Sequence, residues 1–278
     1  MEIEEIRNQF NNSERLYHYT SFSSALKILQ SHTLLFGRLK DMNDINELYR
    51  PLAFYYHPRH DNRNNDDIHK KMKEDYYKYQ QISLTMDGNR MGFDIPAMWG
   101  HYAQNGNGVC LVFDKNKLLS YLEKEKHQRH LVYDNVEYVK DYPSEINYKT
   151  DANNNLIAFG EDEEKDYFFR KTEDWSYEQE FRVIVKSDSE GREKLNFCDS
   201  LLFIIMHNAE SVDHEQSIFD SIEHRKIHDI VGDYIPFLEH GAGILNYNGD
   251  EVWSSKPIDY DKINDEDICK LPKMNQQN

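Results

Sequence analysis

Three short segments place polar residues where a strand or helix of a folded protein should present apolar ones. They are Tyr17-His18-Tyr19-Thr20, Met98-Trp99-Gly100-His101-Tyr102 and the acidic stretch from Trp175 to Arg182. Imidazole, phenol and carboxylate groups can transfer protons or stabilise developing charge. Each segment also has a structural alternative: a hydrogen-bonded core histidine beside a helix cap, an aromatic packing face, and an exposed ion pair.

The acidic stretch carries the most specific chemistry. In a strand over 177–185, alternation puts Glu178, Glu180 and Arg182 on one face of the sheet. Two carboxylates held together by the backbone push their pKa values apart, which is how enzymes set up carboxylates with different roles. The stretch therefore indicates a catalytic carboxylate with a second one beside it, and a Glu–Arg ion pair on an exposed face remains the alternative.

Metal chemistry has little support in the sequence. Asp41, Asp44 and Glu47 could bind a hard cation, but their spacing lacks the EF-hand pattern, and Asp and Asn side chains often bond their own backbone in loops. No HExxH or CxxC spacing occurs. We therefore predict no metal. A metal-dependent nuclease is a minor alternative, and it would use the carboxylates Asp44, Glu47, Glu178 and Glu180.

Short elements must position these segments. The pattern predicts strands at 15–19, 33–36, 81–86, 109–113, 131–139, 177–185 and 201–206, and helices at 2–10, 21–30, 96–103, 115–126, 156–170 and 210–225. Loops are expected at 41–46, 57–67 and 143–155. No regular βαβ rhythm, GxGxxG, Walker loop or GxSxG elbow is present, so we predict an α+β fold with a mixed, mainly antiparallel central sheet flanked by helices. We expect a single domain over 1–270, with a core at about 15–206, an elaboration at 207–270 and a tail at 271–278.

Composition narrows the class of partner. The 278 residues include 50 acidic and 33 basic ones, a formal net charge of −17, which disfavours binding a nucleic-acid backbone over a broad face. The longest apolar run, Leu201–Met206, is far shorter than the roughly 20 residues of a membrane span. The three isolated cysteines suit reduced thiols, so we expect a cytoplasmic location without a membrane partner.

Four motifs, taken in order, resemble those of a bacterial family of unknown function, the domain-of-unknown-function 2971 family. The resemblance covers residues 15–206, and one departure is Ile45, where the family usually has proline. The motifs are H-Y-T at His18, N-D-x-x-E at Asn43, M-W-x-x-Y…G-V-C at Met98 and W-x-x-E-x-E-x-R at Trp175.

A remoter resemblance implies a mechanism. The strand end His18-Tyr19-Thr20, followed by a helix with an Ile-Leu pair and a short strand, is similar to the first motif of the ADP-ribosyltransferases. In that superfamily the histidine contacts a ribose hydroxyl of NAD and a tyrosine stacks on nicotinamide, while a glutamate stabilises the oxocarbenium ion. The resemblance implies catalytic residues His18, Tyr102, Glu178 and Glu180, with cofactor contacts from Tyr19, Thr20, Asn43, Asp44, Trp99 and Arg182.

The resemblance thus implies an ADP-ribosyltransferase-like fold and an enzyme that uses NAD as substrate without a metal. The acceptor would be a protein or small molecule rather than duplex DNA. A role as a toxin or anti-phage effector follows only by family analogy. The alternative from another class is a non-catalytic module of a defence system that binds a nucleotide or a protein, which the 19 tyrosines would suit. The oligomeric state is not indicated.

Overall fold

Helices and many short strands alternate along the chain in the computed structural model, which describes residues 1–42, 74, 76–141, 149–150, 156–157, 167–207, 222–241 and 244–255. The helices in this part are α1 (Ile3–Asn12), α2 (Phe22–Ser31), α3 (Pro96–Tyr102), α4 (Lys115–Lys126) and α5 (Ile222–Val231). The strands are β1 (Arg15–Thr20), β2 (Thr33–Leu35), β3 (Gly37–Arg38), β4 (Tyr79–Met86), β5 (Val109–Asp114), β6 (Leu131–Asn135), β7 (Glu137–Val139), β8 (Lys149–Thr150), β9 (Leu156–Ile157), β10 (Arg170–Thr172), β11 (Glu180–Lys186), β12 (Lys194–Asn196), β13 (Leu201–His207), β14 (Phe237–Gly241), β15 (Ile244–Tyr247) and β16 (Asp250–Ser254).

One large sheet organises the described residues. Its strand order is β16-β15-β14-β13-β5-β1-β4-β11-β6, and β3 pairs with β4 beside this path. The pair β13–β14 is parallel and the other pairs of this sheet are antiparallel. These findings confirm the predicted α+β class with a mixed, mainly antiparallel sheet. Within the described residues, none of the helices is both long and apolar enough to cross a membrane.

Helices cover both faces of the sheet. Successive side chains of each strand point to opposite faces, and both faces carry apolar residues. In β1, Leu16 belongs to one core, whereas Tyr17 and Tyr19 belong to the opposite one. Helices α2, α4 and α5 bury side chains in the first core, and α1 and α3 bury side chains in the second. Ser21 begins α2 by accepting a hydrogen bond from the Ser24 N–H, as a helix cap does.

The sheet forks beside β1, and this fork creates the space for a site. β1 pairs with β5 along its whole length, from Arg15 to Thr20. Its pairing with β4 ends at Tyr17, which stands opposite Thr85. Further along β4, Gln81 pairs with β3 instead. The ends of β1 and β3 therefore leave a gap along the middle of β4.

The predicted strand over 177–185 begins later than the alternation suggested. Residues Glu173–Glu178 form a 3₁₀ helix, and β11 starts at Glu180. Between them, Gln179 has a left-handed backbone with φ of 47°, which no strand residue adopts. The Gln179 side-chain amide donates to the carbonyls of Met86 and Arg90, which holds this turn in place. Glu178 is therefore not on the strand that carries Glu180 and Arg182.

Several other boundaries differ from prediction. The expected strand 131–139 is interrupted at the buried Val136, since β6 pairs with β11 whereas β7 pairs in parallel with β10. Residues 149–150 and 156–157 pair as strands β8 and β9, against the predicted loop 143–155 and the predicted helix 156–170. The described helix near the predicted one at 210–225 is α5, which begins at Ile222. Most of the predicted loops 41–46 and 57–67, residues 158–166 and 208–221, and the tail lie outside the described residues.

Candidate functional site

A cavity of about 250 Å³ occupies the fork between β1 and β4. It lies slightly below the roughly 300–1,000 Å³ of sites that enclose a drug-sized ligand, so it suits one part of a larger molecule. Side chains from several elements reach it, and those that matter for chemistry are His18, Tyr102, Lys171, Glu178, Glu180 and Arg192.

The cavity brings together the four residues predicted to be catalytic. His18 comes from β1, Tyr102 from the end of α3, Glu178 from the 3₁₀ helix and Glu180 from the start of β11. These residues are spread over more than 160 positions of the chain. Their catalytic roles stay predictions, but they share one concave surface.

Glu180 is a buried carboxylate with a fixed orientation. Its side chain is 2% exposed, and both of its oxygens accept hydrogen bonds of 2.8 Å from Arg182, through Nε and Nη2. Arg182 also donates to the Phe168 carbonyl and is itself fully buried. Burial raises the pKa of Glu180, but the Arg182 guanidinium, helped by Lys171, outweighs it and holds this pKa below its ordinary value. Glu180 is therefore an ionised group that two cations keep in place.

Glu178 has different partners from Glu180, and its pKa is shifted in the opposite direction. Its Oε1 accepts a hydrogen bond of 2.7 Å from the Tyr102 hydroxyl, and its Oε2 lies 2.6 Å from Lys171 Nζ. Burial raises the pKa of Glu178, and the charge of Glu180 raises it further, against the opposing effect of Lys171. Burial and the neighbouring Glu178 charge also raise the pKa of Tyr102, so its hydroxyl remains a donor at neutral pH.

Lys171 is the functional residue that sequence reasoning missed. It is buried on β10, and its Nζ lies 2.6 Å from Glu178 and 3.6 Å from Glu180, while the Trp175 ring lies under it at 4.7 Å. One signal could have indicated a second cation. Two glutamates that are buried side by side require about two positive charges to compensate their own, and Arg182 supplies one of these.

His18 remains neutral at physiological pH. Burial lowers its pKa to about 4, and a hydrogen bond with the Ser83 backbone opposes this effect. Ser83 lies on β4, so this contact crosses the fork. A neutral imidazole can donate one hydrogen bond and accept another, which is what a ribose hydroxyl requires.

Several predicted cofactor contacts lie elsewhere. Trp99 is buried in the core on the Tyr17 side of the sheet, where its Nε1 donates to the Phe93 carbonyl at 2.7 Å and its ring packs edge-on against Tyr19. Tyr19 is among the residues that line the cavity, but its phenol donates to the Gly92 carbonyl on that same side of the sheet. Within the described lining of the cavity, neither Thr20 nor Trp99 is present.

Arg182 likewise stays behind Glu180 rather than in the lining that the structure describes. It is buried and holds the Glu180 carboxylate through two hydrogen bonds. Asn43 and Asp44 lie outside the described residues, as does Glu47, which the nuclease alternative requires. Among the residues that are described, no group of three or more His, Cys, Asp or Glu side chains could hold a metal ion.

Residues 98–183 match the model of a family of proteins of unknown function, DUF2971. The match supports the resemblance to this family that the sequence motifs indicate. The DUF2971 segment contains Tyr102, Lys171, Glu178 and Glu180, whereas His18 lies before it. No curated protein and no solved structure matches the chain. The resemblance to ADP-ribosyltransferases therefore stays a prediction.

Proposed function

We propose that this protein cleaves the bond between nicotinamide and ribose in NAD and transfers the ADP-ribosyl group to an acceptor. The observation that carries the proposal is Glu180: a buried, ionised carboxylate, fixed by the two-pronged contact with Arg182, in a cavity shared with His18 and Tyr102. An anion that is already oriented stabilises a positive transition state without having to reorganise during the reaction.

The chemistry follows from these positions. The bond between ribose C1′ and the nicotinamide nitrogen breaks, and its electron pair leaves with nicotinamide as the neutral base. C1′ becomes an oxocarbenium ion, which the Glu180 carboxylate stabilises, as carboxylates do in glycoside hydrolysis. A lone pair of the acceptor forms the new bond to C1′, and Glu178 accepts the proton that the acceptor releases. In this scheme His18 holds a ribose hydroxyl and the ring of Tyr102 contacts nicotinamide.

The nature of the acceptor and the location are part of the proposal. The net charge of −17 disfavours duplex DNA, so we propose a protein, a small molecule or water as the acceptor. Cys110 and Cys198 are free thiols, which supports the reducing cytoplasm as the location. A role as a toxin or anti-phage effector is proposed by analogy with the resembled superfamily alone.

The test is nicotinamide release from NAD by the purified protein and by Glu180→Gln, Glu178→Gln and Glu173→Gln. Glu173 is an exposed carboxylate on the same 3₁₀ helix as Glu178, so its variant is the matched control. We expect Glu180→Gln to slow release by roughly 10²–10³-fold, the typical effect of removing one preorganised electrostatic group, and the control to release nicotinamide like the wild type.

Three other outcomes would contradict the proposal. If NAD raises the melting temperature but no variant and no wild type releases nicotinamide, the protein is a binding module. If EDTA abolishes the activity that is found, a metal-dependent reaction replaces this one. If Glu173→Gln slows release as much as Glu180→Gln, the effect does not come from the cavity.

A further inference from the structure

Arg192 lies on one wall of the cavity, and none of the described carboxylates forms an ion pair with it. Arg192 is exposed and lines the cavity, and its Nε donates to the Phe36 carbonyl at 2.7 Å. Among the residues that the structure describes, Arg192 forms no ion pair, whereas Arg15 and Arg129 each meet a carboxylate. In a chain with 50 acidic residues, a cavity cation that pairs with none of the described carboxylates needs an explanation.

The backbone around Arg192 orients its guanidinium. Gly37 lines the same wall, and a Cβ there would lie 4.0 Å from Arg192 Nη2 and 2.8 Å from Met42 Cε. The Nε hydrogen bond fixes one edge of the guanidinium, so the terminal nitrogens are the edge that a ligand can use. Such a planar donor pair matches a phosphate better than an ammonium group does.

The backbone positions beside Arg192 and at Glu180 lie toward different ends of the cavity. Gly37, next to Arg192, pairs with Gln81 of β4, whereas Glu180 pairs with Thr85. These two backbone positions of β4 are four residues apart, or about 13 Å along a strand. The Glu180 side chain spans part of this distance, because its Oε1 accepts a hydrogen bond of 3.4 Å from Gln81 Nε2. An anionic group would be repelled at the carboxylate end and attracted at the Arg192 end.

We propose that Arg192 forms an anion subsite that holds the diphosphate of a dinucleotide, while the sugar to be cleaved lies at the carboxylate end. The anion subsite is independent of the reaction, but the assignment of the diphosphate to the substrate depends on the proposed function. The inference restricts the substrate class, because it requires a ligand that carries phosphate and excludes the free nucleoside as the preferred substrate.

Substrate discrimination tests the subsite. The experiment compares kcat/KM for NAD and for nicotinamide riboside, which has the same scissile bond but no diphosphate. In Arg192→Gln we expect kcat/KM for NAD, divided by kcat/KM for nicotinamide riboside, to fall by about tenfold to a hundredfold. This is the effect of losing one charge-assisted hydrogen bond. Arg192→Lys keeps the charge without the planar fork, and its ratio should fall between those of the wild type and Arg192→Gln.

Lys194→Gln is the matched control, because it removes one positive charge two residues away at an exposed position outside the described lining of the cavity. It should leave the ratio as in the wild type. A ratio that is unchanged in Arg192→Gln, or that falls equally in Lys194→Gln, would overturn the subsite while leaving the cleavage reaction intact.

A binding measurement separates this inference from the proposed function. Calorimetric titration with ADP-ribose, which carries the diphosphate but no scissile bond, needs no turnover. If the wild type cleaves nothing but binds ADP-ribose at least tenfold more tightly than Arg192→Gln does, the proposed function fails and the subsite stands. If ADP-ribose binding is absent or does not depend on Arg192, the subsite is refuted.

Discussion

At the scale of single residues, the contacts of two glutamates separate their proton affinities. Glu180 meets the Arg182 guanidinium with both oxygens, whereas Glu178 meets one ammonium and one hydroxyl. Both carboxylates are buried and both lie near Lys171. The difference in partners keeps Glu180 ionised and lets Glu178 take up a proton more easily.

The cation shared by these glutamates gives a testable prediction. Lys171→Met should lower the free energy of unfolding by about 3–5 kcal/mol at pH 7, because removing one partner leaves buried carboxylates uncompensated. The pKa of Glu178 is raised above its ordinary value, so this group takes up a proton more readily than a free glutamate as the pH falls, and the loss should be smaller at pH 4.5. Urea unfolding at the two pH values measures both effects.

The control for this variant is Lys117→Met. Lys117 pairs with Asp199 at 3.3 Å, but both side chains are exposed, so the expected loss is no more than about 1 kcal/mol. A loss in Lys171→Met that is equally small, or that is the same at pH 7 and pH 4.5, would contradict the view that the ammonium compensates buried carboxylates.

At the scale of elements, a glycine lets α3 and β5 approach the end of β1. A Cβ at Gly108 would lie 2.4 Å from the Thr20 carbonyl and 2.7 Å from the Ala103 Cα, and both of these are backbone atoms that cannot move aside cheaply. The same junction connects Tyr102, at the end of α3, to the strand that pairs with the His18 strand. The close approach at Gly108 therefore helps to position two cavity residues.

Gly108→Ala should accordingly destabilise the protein by about 1–3 kcal/mol, the usual cost of overpacking. Gly100→Ala is the matched control, because a Cβ on this helical glycine has no atom within 4 Å and alanine favours the helix. Thermal unfolding compares the melting temperatures of the two variants with that of the wild type. A melting temperature that falls equally in both, or that does not fall in Gly108→Ala, would contradict this account.

The periodicity of the sequence predicted some regular elements but not others, since strands β14, β15 and β16 were not predicted and β9 lies in a predicted helix. It predicted the site only in part. Strand β1 and helices α2 and α4 are where apolar spacing and caps place them, because these signals are local. The turn at Gln179 escaped prediction, since its left-handed backbone depends on carbonyls of Met86 and Arg90, which are distant in sequence. Lys171 was not predicted for the same reason, because it contacts Glu178 and Glu180 only in the folded chain.

At the scale of the whole molecule, the large sheet carries three histidines that folding keeps neutral. Burial is the main cause that lowers the pKa of His18, His207 and His240, to about 4 in the case of His18. They lie on β1, β13 and β14, and His240 Nε2 lies 3.1 Å from Asp94. Unfolding returns each imidazole to water, where its pKa is about 6.5.

Stability should therefore fall as the pH is lowered from about 6.5 to 5. In this range the unfolded state binds more protons than the folded one, so the free energy of unfolding rises with pH. The raised pKa of Glu178 has the opposite effect on this slope, but Glu178 is one group and the histidines are three. Urea unfolding over this range gives the slope, which should be shallower in His18→Asn than in the wild type.

The control for the slope is His127→Asn, at an exposed position that follows α4. A slope that changes as much in this control as in His18→Asn would show that burial of His18 is not a source of the pH dependence. A stability that rises as the pH falls from 6.5 to 5 would refute the neutral state of these histidines in the folded protein.

The most direct test of the central claim is the rate of nicotinamide release from NAD that carries deuterium at C1′ of the nicotinamide ribose. The wild type should release nicotinamide, and more slowly from the deuterated molecule than from ordinary NAD, because C1′ becomes a positive centre in the transition state. Glu180→Gln should lose most of this rate. No release by stoichiometric wild-type protein, or an undiminished rate in Glu180→Gln, would contradict the account.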